Sequence, residues 1–218
     1  MELKGKKILF LGDSITEGSG VEGISNRFSD LIAAWEGAEC YNYGIGGTRI
    51  AYQNTPSANP RWDLNFIDRV DQMEEIADIV VVFGGTNDFG HGDAAIGQFE
   101  DRTPHTFYGA VHTLITKLIT RYPTAKLVFL TPLHRITEEH ISRKGDEEIH
   151  NTLEQYVNIL RQVLEYYAVP TLDLYRSGRL QPVVPILQKM YVPDGLHPNN
   201  AGHVLLAESI IAFLKSQF

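Results

Sequence analysis

The sequence has one cysteine, no basic run and no long apolar run. With Cys40 alone, the chain holds no internal disulfide and no zinc cluster built from cysteines. Lysine and arginine number 19 against 27 aspartates and glutamates, so the net charge is 19 − 27 = −8, which argues against nucleic acid as a partner. The apolar run near the N-terminus covers only residues 8–11, too short for a signal peptide. No segment approaches the roughly 20 apolar residues of a membrane helix, so we expect a cytoplasmic protein without membrane insertion.

Internal repeats and low-complexity tracts are also missing. The 218 residues are 43% hydrophobic and 21% charged, which is ordinary for a globular protein. A chain of this length can bury one full core without splitting, so we expect one domain over residues 1–218. The sequence leaves open whether the chain forms a homo-oligomer.

Short apolar runs rich in strand-forming residues alternate with stretches of helical spacing. The apolar runs lie at 7–12, 40–44, 79–85, 126–132 and 169–174. The predicted helices cover 24–36, 64–76, 105–121, 148–167 and 199–216. Nearly continuous apolar runs are typical of strands buried on both faces, as in a parallel sheet. The alternation predicts an α/β fold, a three-layer α/β/α sandwich of about five strands, with a ligand site beyond their carboxyl ends.

Three segments read as loops or insertions, at 51–63, 89–104 and 133–147. The first two follow strand ends or the turns after them, so they are candidates for the walls of a site, although surface decoration fits them equally well. The candidate substrate-binding residues near these strand ends are Asp13, Arg49, Trp62, Phe89, His91 and Arg135.

Ser14, in the stretch GDSIT after the first apolar run, has three local interpretations. With Glu17 it fits the S-x-x-E capping box of a helix start. A phosphate-binding loop is disfavoured because the Gly-Lys-Ser/Thr end is missing and Asp13 would repel an anion. The α/β-hydrolase elbow G-x-S-x-G fails because Thr16 stands in place of the last glycine. A nucleophile remains open, and it requires a base, a group that orients the base, and oxyanion donors.

A base and its orienting group occur together near the C-terminus, in VPDGLHPNNAG. Asp194 precedes His197 by three residues, a spacing that lets the carboxylate reach imidazole Nδ1 and leaves Nε2 as the base. Taken alone, the same residues also fit a simple turn and a helix lead-in. The remaining histidines show no metal-ligand spacing, so we expect no metal and no other cofactor.

Oxyanion donors are available after two other strands. Gly44, Gly46 and Gly47 follow the second apolar run, and glycine lets a backbone N–H approach a ligand closely. Asn87, in GGTND after the third run, has a side-chain amide that can donate to the same oxyanion. Each stretch taken alone also fits a turn or a helix cap.

Together, the four stretches Gly-Asp-Ser, Gly-Gly-Thr, Gly-Thr-Asn-Asp and Asp-x-x-His resemble, in this order, the SGNH hydrolases, also called the GDSL esterase and lipase family. The resemblance covers residues 8 to about 203, and its motif set is specific. It implies a flavodoxin-like fold. Carried over by motif, it implies Ser14 as nucleophile and first oxyanion donor, Gly47 and Asn87 as further donors, His197 as base and Asp194 as its orienting group.

Two details qualify this correspondence. The motif reads GDSIT where the family name has leucine after serine, a change that leaves the chemistry untouched. Gly46 and Gly47 are both glycines, so the sequence leaves open which of them supplies the oxyanion amide.

The residues and the resemblance predict a serine ester hydrolase that works through an acyl-enzyme. The expected substrate is a small or short-chain acyl ester, for example an O-acetylated carbohydrate. The alternative within catalysis is a lysophospholipase or thioesterase, which requires a longer apolar groove. The alternative of another class is a binding module without activity, which would not need all of the matched catalytic residues.

Overall fold

Parallel strands form the central sheet of the computed structural model, which describes residues 2–144 and 147–217, with the backbone alone at 141–144 and 147–150. In chain order the strands are β1 (Lys7–Gly12), β2 (Glu39–Gly44), β3 (Ile79–Phe83), β4 (Lys126–Leu130), β5 (Glu139–Lys144), β6 (Glu147–Thr152) and β7 (Thr171–Leu172). The central sheet has the order β2-β1-β3-β4-β7, with every neighbouring pair parallel. Its strand order reverses between β1 and β3, where such sheets open a crevice at their carboxyl ends.

Helices cover both faces of this sheet. They are α1 (Ser14–Glu17), α2 (Phe28–Glu36), α3 (Phe66–Arg69), α4 (Thr86–His91), α5 (Phe107–Arg121), α6 (Leu153–Tyr166), α7 (Leu174–Ser177), α8 (Pro185–Tyr191) and α9 (Asn200–Gln217). Strand side chains alternate between two cores, so Leu9 and Leu11 pack with α5 and α6 while Ile8 and Phe10 pack with α2 and α9. The predicted three-layer α/β/α sandwich is confirmed. No helix in the described part of the chain has the length and apolar character needed to cross a membrane.

The predicted helix 148–167 is wrong at its start. Residues 147–152 form β6, which pairs antiparallel with β5 in a separate two-stranded sheet. The helix begins only at Leu153, where the Thr152 side chain accepts the Gln155 N–H and the Gln155 side chain accepts the Thr152 N–H. The predicted loop 133–147 therefore contains β5, and its residues 145–146 lie outside the described residues.

Other predicted boundaries are too wide. The predicted helix 64–76 reduces to α3 and a 3-10 turn at Val70–Gln72, because the backbone becomes extended at Met73. The predicted loop 89–104 begins inside α4, which already starts at Thr86. The last predicted strand, 169–174, shortens to the two residues of β7.

Candidate active site

Four chain segments with chemistry-bearing side chains meet around the carboxyl ends of β1, β2 and β3. Asp13 directly follows the last residue of β1, and Ser14 is the first residue of α1. Ser14 is 7% exposed. Gly47 lies three residues beyond β2, and Asn87 is the second residue of α4 after β3. His197 lies just before α9. Parallel strands therefore bring together residues that are far apart in sequence, as this fold class predicts.

Ser14, His197 and Asp194 form one hydrogen-bonded chain. The Nε2 atom of His197 lies 2.9 Å from Ser14 Oγ, and its Nδ1 atom lies 2.7 Å from Asp194 Oδ2. The second carboxylate oxygen of Asp194 accepts the backbone N–H groups of His197 at 2.7 Å and Leu196 at 2.9 Å. This geometry allows a proton to pass from the hydroxyl to Nε2 while the carboxylate holds Nδ1.

The carboxylate of Asp194 stays ionised at this position. Burial alone would raise its pKa, but the hydrogen bonds from the backbone and ring of His197 and from Leu196 lower that pKa below its usual value. An ionised carboxylate can keep the imidazole in one orientation and stabilise it when it becomes charged.

Asp13, and not Ser14, caps the helix after β1. Its Oδ1 atom accepts the Ile15 N–H at 3.0 Å, so the capping-box interpretation of Ser14 is wrong. The hydroxyl of Ser14 is thereby left for His197. Asp13 is 1% exposed, and burial raises its pKa to about 6, with opposing contributions from the Ile15 N–H and from nearby His197 and Arg69. Its expected contact with substrate stays a prediction.

The two adjacent glycines after β2 have different surroundings. The Gly46 N–H donates to Glu17 Oε2 at 2.7 Å, whereas the Gly47 N–H has no partner among the described residues. Gly47 has a φ of +78°, which other residues rarely adopt. A Cβ atom at Gly46 would lie 3.5 Å from the Ser14 Cβ, so this loop lies directly against the serine.

Asn87 is fixed in place through its own side chain. Its Nδ2 atom donates to the Thr48 carbonyl at 3.0 Å, and the side chain is 5% exposed. An amide nitrogen carries two hydrogens, so the second one remains available to a ligand. The next residue, Asp88, accepts the backbone N–H groups of Ile50 and Ala51 and thereby ties the same loop to α4.

A buried arginine that sequence reasoning missed joins the strand ends. Arg69 is 4% exposed and donates to the carbonyls of Tyr43 at 2.6 Å and Gly12 at 3.0 Å, and to Thr48 Oγ1 at 2.9 Å. Burial lowers its pKa to about 10, and the charge of Asp13 opposes this shift. The available signal was an arginine inside the apolar pattern of the predicted helix 64–76, which is weak by itself.

Trp62, Arg49 and His91 lie together beyond the glycine loop. A Cβ atom at Gly47 would lie 2.0 Å from Trp62 Cδ1, so the indole packs directly on that residue. The rings of Trp62 and His91 are 4.9 Å apart. Arg49 is buried and pairs with Asp63 at 2.6 Å. These three residues line a cavity of about 220 Å³, and Arg49 and Trp62 also border one of about 340 Å³.

Phe89 lies in the core, whereas Arg135 borders a cavity. Phe89 is 4% exposed and packs in the core against Tyr156 and His140, and its expected contact with substrate stays a prediction. Arg135 lies over the Phe89 ring, donates to the Thr86 carbonyl at 3.2 Å and borders a cavity of about 470 Å³ with Ile136.

Comparison with protein families gives one match over most of the chain. The model of the GDSL-like lipase/acylhydrolase family matches residues 10–205. None of the curated proteins compared with the chain matches it significantly.

Solved structures are similar over nearly the whole length. Two share 33% sequence identity with this chain, and each comparison covers 99% of both chains. Their TM-scores are 0.84 and 0.82, and the second is of a protein from Lactobacillus plantarum. A lipase/acylhydrolase from Enterococcus faecalis is 23% identical, with 97% of this chain and 96% of that chain covered and a TM-score of 0.65, a likeness in fold.

Proposed function

The chain belongs to the GDSL-like lipase/acylhydrolase family and is a carboxylic ester hydrolase, and from this premise we propose that Ser14 is its nucleophile. The observation that carries the proposal is the continuous chain from Ser14 Oγ through both ring nitrogens of His197 to Asp194, with distances of 2.9 and 2.7 Å. A serine hydroxyl is a weak nucleophile until an adjacent base takes its proton.

In the proposed reaction, Ser14 Oγ attacks the ester carbonyl while His197 Nε2 accepts its proton. The tetrahedral intermediate collapses when His197 returns that proton to the departing alcohol, which leaves an acyl-serine. Water, activated by the same imidazole, then attacks the acyl-serine, and the carboxylic acid leaves as Ser14 regains its proton. Asp194 orients the imidazole throughout.

The proposed oxyanion donors are the backbone N–H groups of Ser14 and Gly47 and the side-chain amide of Asn87. Support for Gly47 over Gly46 comes from the Gly46 N–H, which already donates to Glu17. Support for Asn87 comes from its bond to the Thr48 carbonyl, since an amide fixed in advance needs no reorganisation when charge develops.

We propose a small or short-chain acyl ester as the substrate, with an O-acetylated carbohydrate as the leading candidate. The cavities beside Trp62 favour this class, because an indole face next to polar side chains suits a sugar ring. Trp62 is 37% exposed, and its neighbours in the cavity of about 340 Å³ include Gln53, Asn54 and Asp68.

A lysophospholipase or thioesterase is the second candidate. The observation that favours it is the cavity of about 470 Å³ on the Arg135 side, where Ile136 and Val183 are 48% and 66% exposed. These apolar side chains could accompany part of a longer acyl chain.

A series of p-nitrophenyl esters of increasing chain length tests these proposals on the wild type, Ser14→Ala and Asn87→Ala. We expect Ser14→Ala to be inactive and Asn87→Ala to lose about 100- to 1,000-fold in kcat while remaining folded. Equal rates for wild type and Ser14→Ala would overturn the nucleophile assignment. A wild-type preference for acetate and butyrate supports the short-chain proposal, and a preference for long chains supports the second candidate.

A further inference from the structure

The carboxylate of Glu17 connects three segments around the proposed oxyanion site. Glu17 ends α1, the helix that Ser14 begins. Its Oε2 atom accepts the Gly46 N–H at 2.7 Å and Arg61 Nη1 at 3.2 Å, and its Oε1 atom pairs with Arg61 Nη2. One side chain thus links the serine helix, the glycine loop and the segment that carries Trp62.

Close packing between α1 and the end of β2 makes this contact possible. A Cβ atom at Gly44 would lie 2.1 Å from the Glu17 backbone nitrogen, so only glycine allows the helix to approach the strand end this closely. A Cβ atom at Gly46 would lie 2.8 Å from Glu17 Oε2. The Glu17 carboxylate therefore occupies space that a side chain at Gly46 would fill.

The carboxylate is ionised in this setting. Burial of Glu17 opposes ionisation, but hydrogen bonds from Arg61 and from the Gly46 N–H lower its pKa below the usual value. A charged acceptor holds a backbone N–H more strongly than a neutral one does.

We infer that Glu17 is a positioning residue for the ester hydrolysis, which holds the Gly46 N–H so that the loop presents the Gly47 N–H to the oxyanion. Only the φ and ψ angles of Gly46 separate the two N–H groups, and the turn closed by the Thr48 N–H to the Ile45 carbonyl restricts these angles. Fixing the Gly46 N–H therefore restricts the direction of the Gly47 N–H. The inference rests on the proposed roles of Ser14 and Gly47.

Arg61 contributes from the other side of the carboxylate. It is adjacent to Trp62 in the 3-10 turn Pro60–Asp63, and the Trp62 ring packs on Gly47. The loop is therefore held at Gly46 by a hydrogen bond and at Gly47 by contact with the Trp62 ring.

Replacement of the carboxylate separates this role from general stability. In Glu17→Ala the Gly46 N–H has no acceptor, and we expect kcat to fall about 10- to 100-fold with KM little changed, because the oxyanion develops only in the transition state. Glu17→Gln keeps an oxygen acceptor for Gly46, so we expect it to recover most of kcat. Amide exchange measured by NMR should accelerate at Gly46 in Glu17→Ala and stay slow in Glu17→Gln.

Asp78→Ala is the matched control. Asp78 also accepts a backbone N–H, from Lys7 at 2.9 Å, and a side-chain cation, Lys6 at 3.0 Å, but it lies at the opposite, amino-terminal edge of the sheet. We expect a lowered Tm for Asp78→Ala with unchanged kcat.

Two results would overturn the inference. One is a Glu17→Ala enzyme with wild-type kcat beside an inactive Ser14→Ala enzyme, which would leave the proposed function intact. The other is a Glu17→Gln enzyme as impaired as Glu17→Ala, because the Gly46 bond would then not be the cause. An active Ser14→Ala enzyme would instead refute the proposed function itself.

Discussion

Asp13 and Ser14 are neighbours in sequence, but their side chains have different partners. Asp13 turns inward to cap α1 and is 1% exposed, while Ser14 Oγ turns to the imidazole of His197. A carboxylate this deeply buried is costly to ionise, which is why its pKa rises to about 6. At neutral pH the charge at Asp13 therefore weakens the folded state.

We predict that Asp13→Asn gains stability over the wild type as pH rises. The folded protein binds the Asp13 proton more tightly than the unfolded chain does, because the pKa rises from 3.8 to about 6 on folding. The contribution of Asp13 to the unfolding free energy of the wild type is therefore fully present below pH 4 and is lost as the pH rises through 6. The substituted asparagine side chain keeps the cap and does not titrate.

Urea unfolding at a series of pH values measures this effect. The difference in unfolding free energy, variant minus wild type, should increase by up to about 3 kcal/mol between pH 4 and pH 7 and then level off. A difference that is flat with pH, or that falls, would contradict the assignment of a raised pKa to Asp13.

At the scale of single elements, the start of α6 shows how local chemistry sets a boundary. Thr152 ends β6 and at the same time caps α6, with both hydrogen bonds of a capping box present. The extended backbone at Thr152, with φ −117° and ψ 149°, suits both roles. Thr152 therefore marks the boundary between the strand and the helix. The apolar spacing of α6 alone does not locate this boundary.

We predict that Thr152→Ala lowers the unfolding free energy by about 1 kcal/mol, because the N–H of Gln155 loses its acceptor. Thermal or urea unfolding measures the change, and ester hydrolysis should proceed at the wild-type rate. Thr124→Ala, at an exposed threonine in a turn, is the control and should stay within about 0.5 kcal/mol of wild type. An equal effect of both substitutions would argue against the capping box.

At the scale of the whole molecule, stability comes from two cores separated by one sheet. The strands β1, β3 and β4 contribute alternate side chains to each core, and their central residues are fully buried. The site residues lie at the rim of these cores, at the strand ends. The sheet can therefore be rigid while the side chains at its edge remain accessible to a ligand.

We predict that Phe129→Ala, in β4, lowers the unfolding free energy by about 3–5 kcal/mol through the cavity it leaves. Phe129 is 0% exposed, whereas Ile76 is 75% exposed, and Ile76→Ala should change the same quantity by less than about 0.5 kcal/mol. Urea unfolding distinguishes the two. A similar loss for both would contradict the burial of Phe129.

Much of the architecture could be predicted because its signals are local. The apolar runs of β1 and β3 are nearly continuous, and the helices α5 and α9 keep their spacing over many residues, so their type and order are readable. The antiparallel pair β5–β6 could not be predicted, because its residues are mostly polar and its pairing depends on contact between the two strands. The short helix α4 was hidden for a similar reason, since its sequence TNDFGH also fits a turn.

The sequence by itself determined that a serine, two glycines, an asparagine and an Asp-x-x-His pair follow strands or precede the last helix, because period and motif order are properties of the chain. The tertiary structure decided which atoms meet. It brings His197 to Ser14 across 183 residues, assigns the cap to Asp13, and occupies the Gly46 N–H while leaving that of Gly47 without a partner in the described part of the chain. It also buries Arg69 beneath the strand ends. These choices depend on distances of a few ångströms between remote segments, which only packing sets.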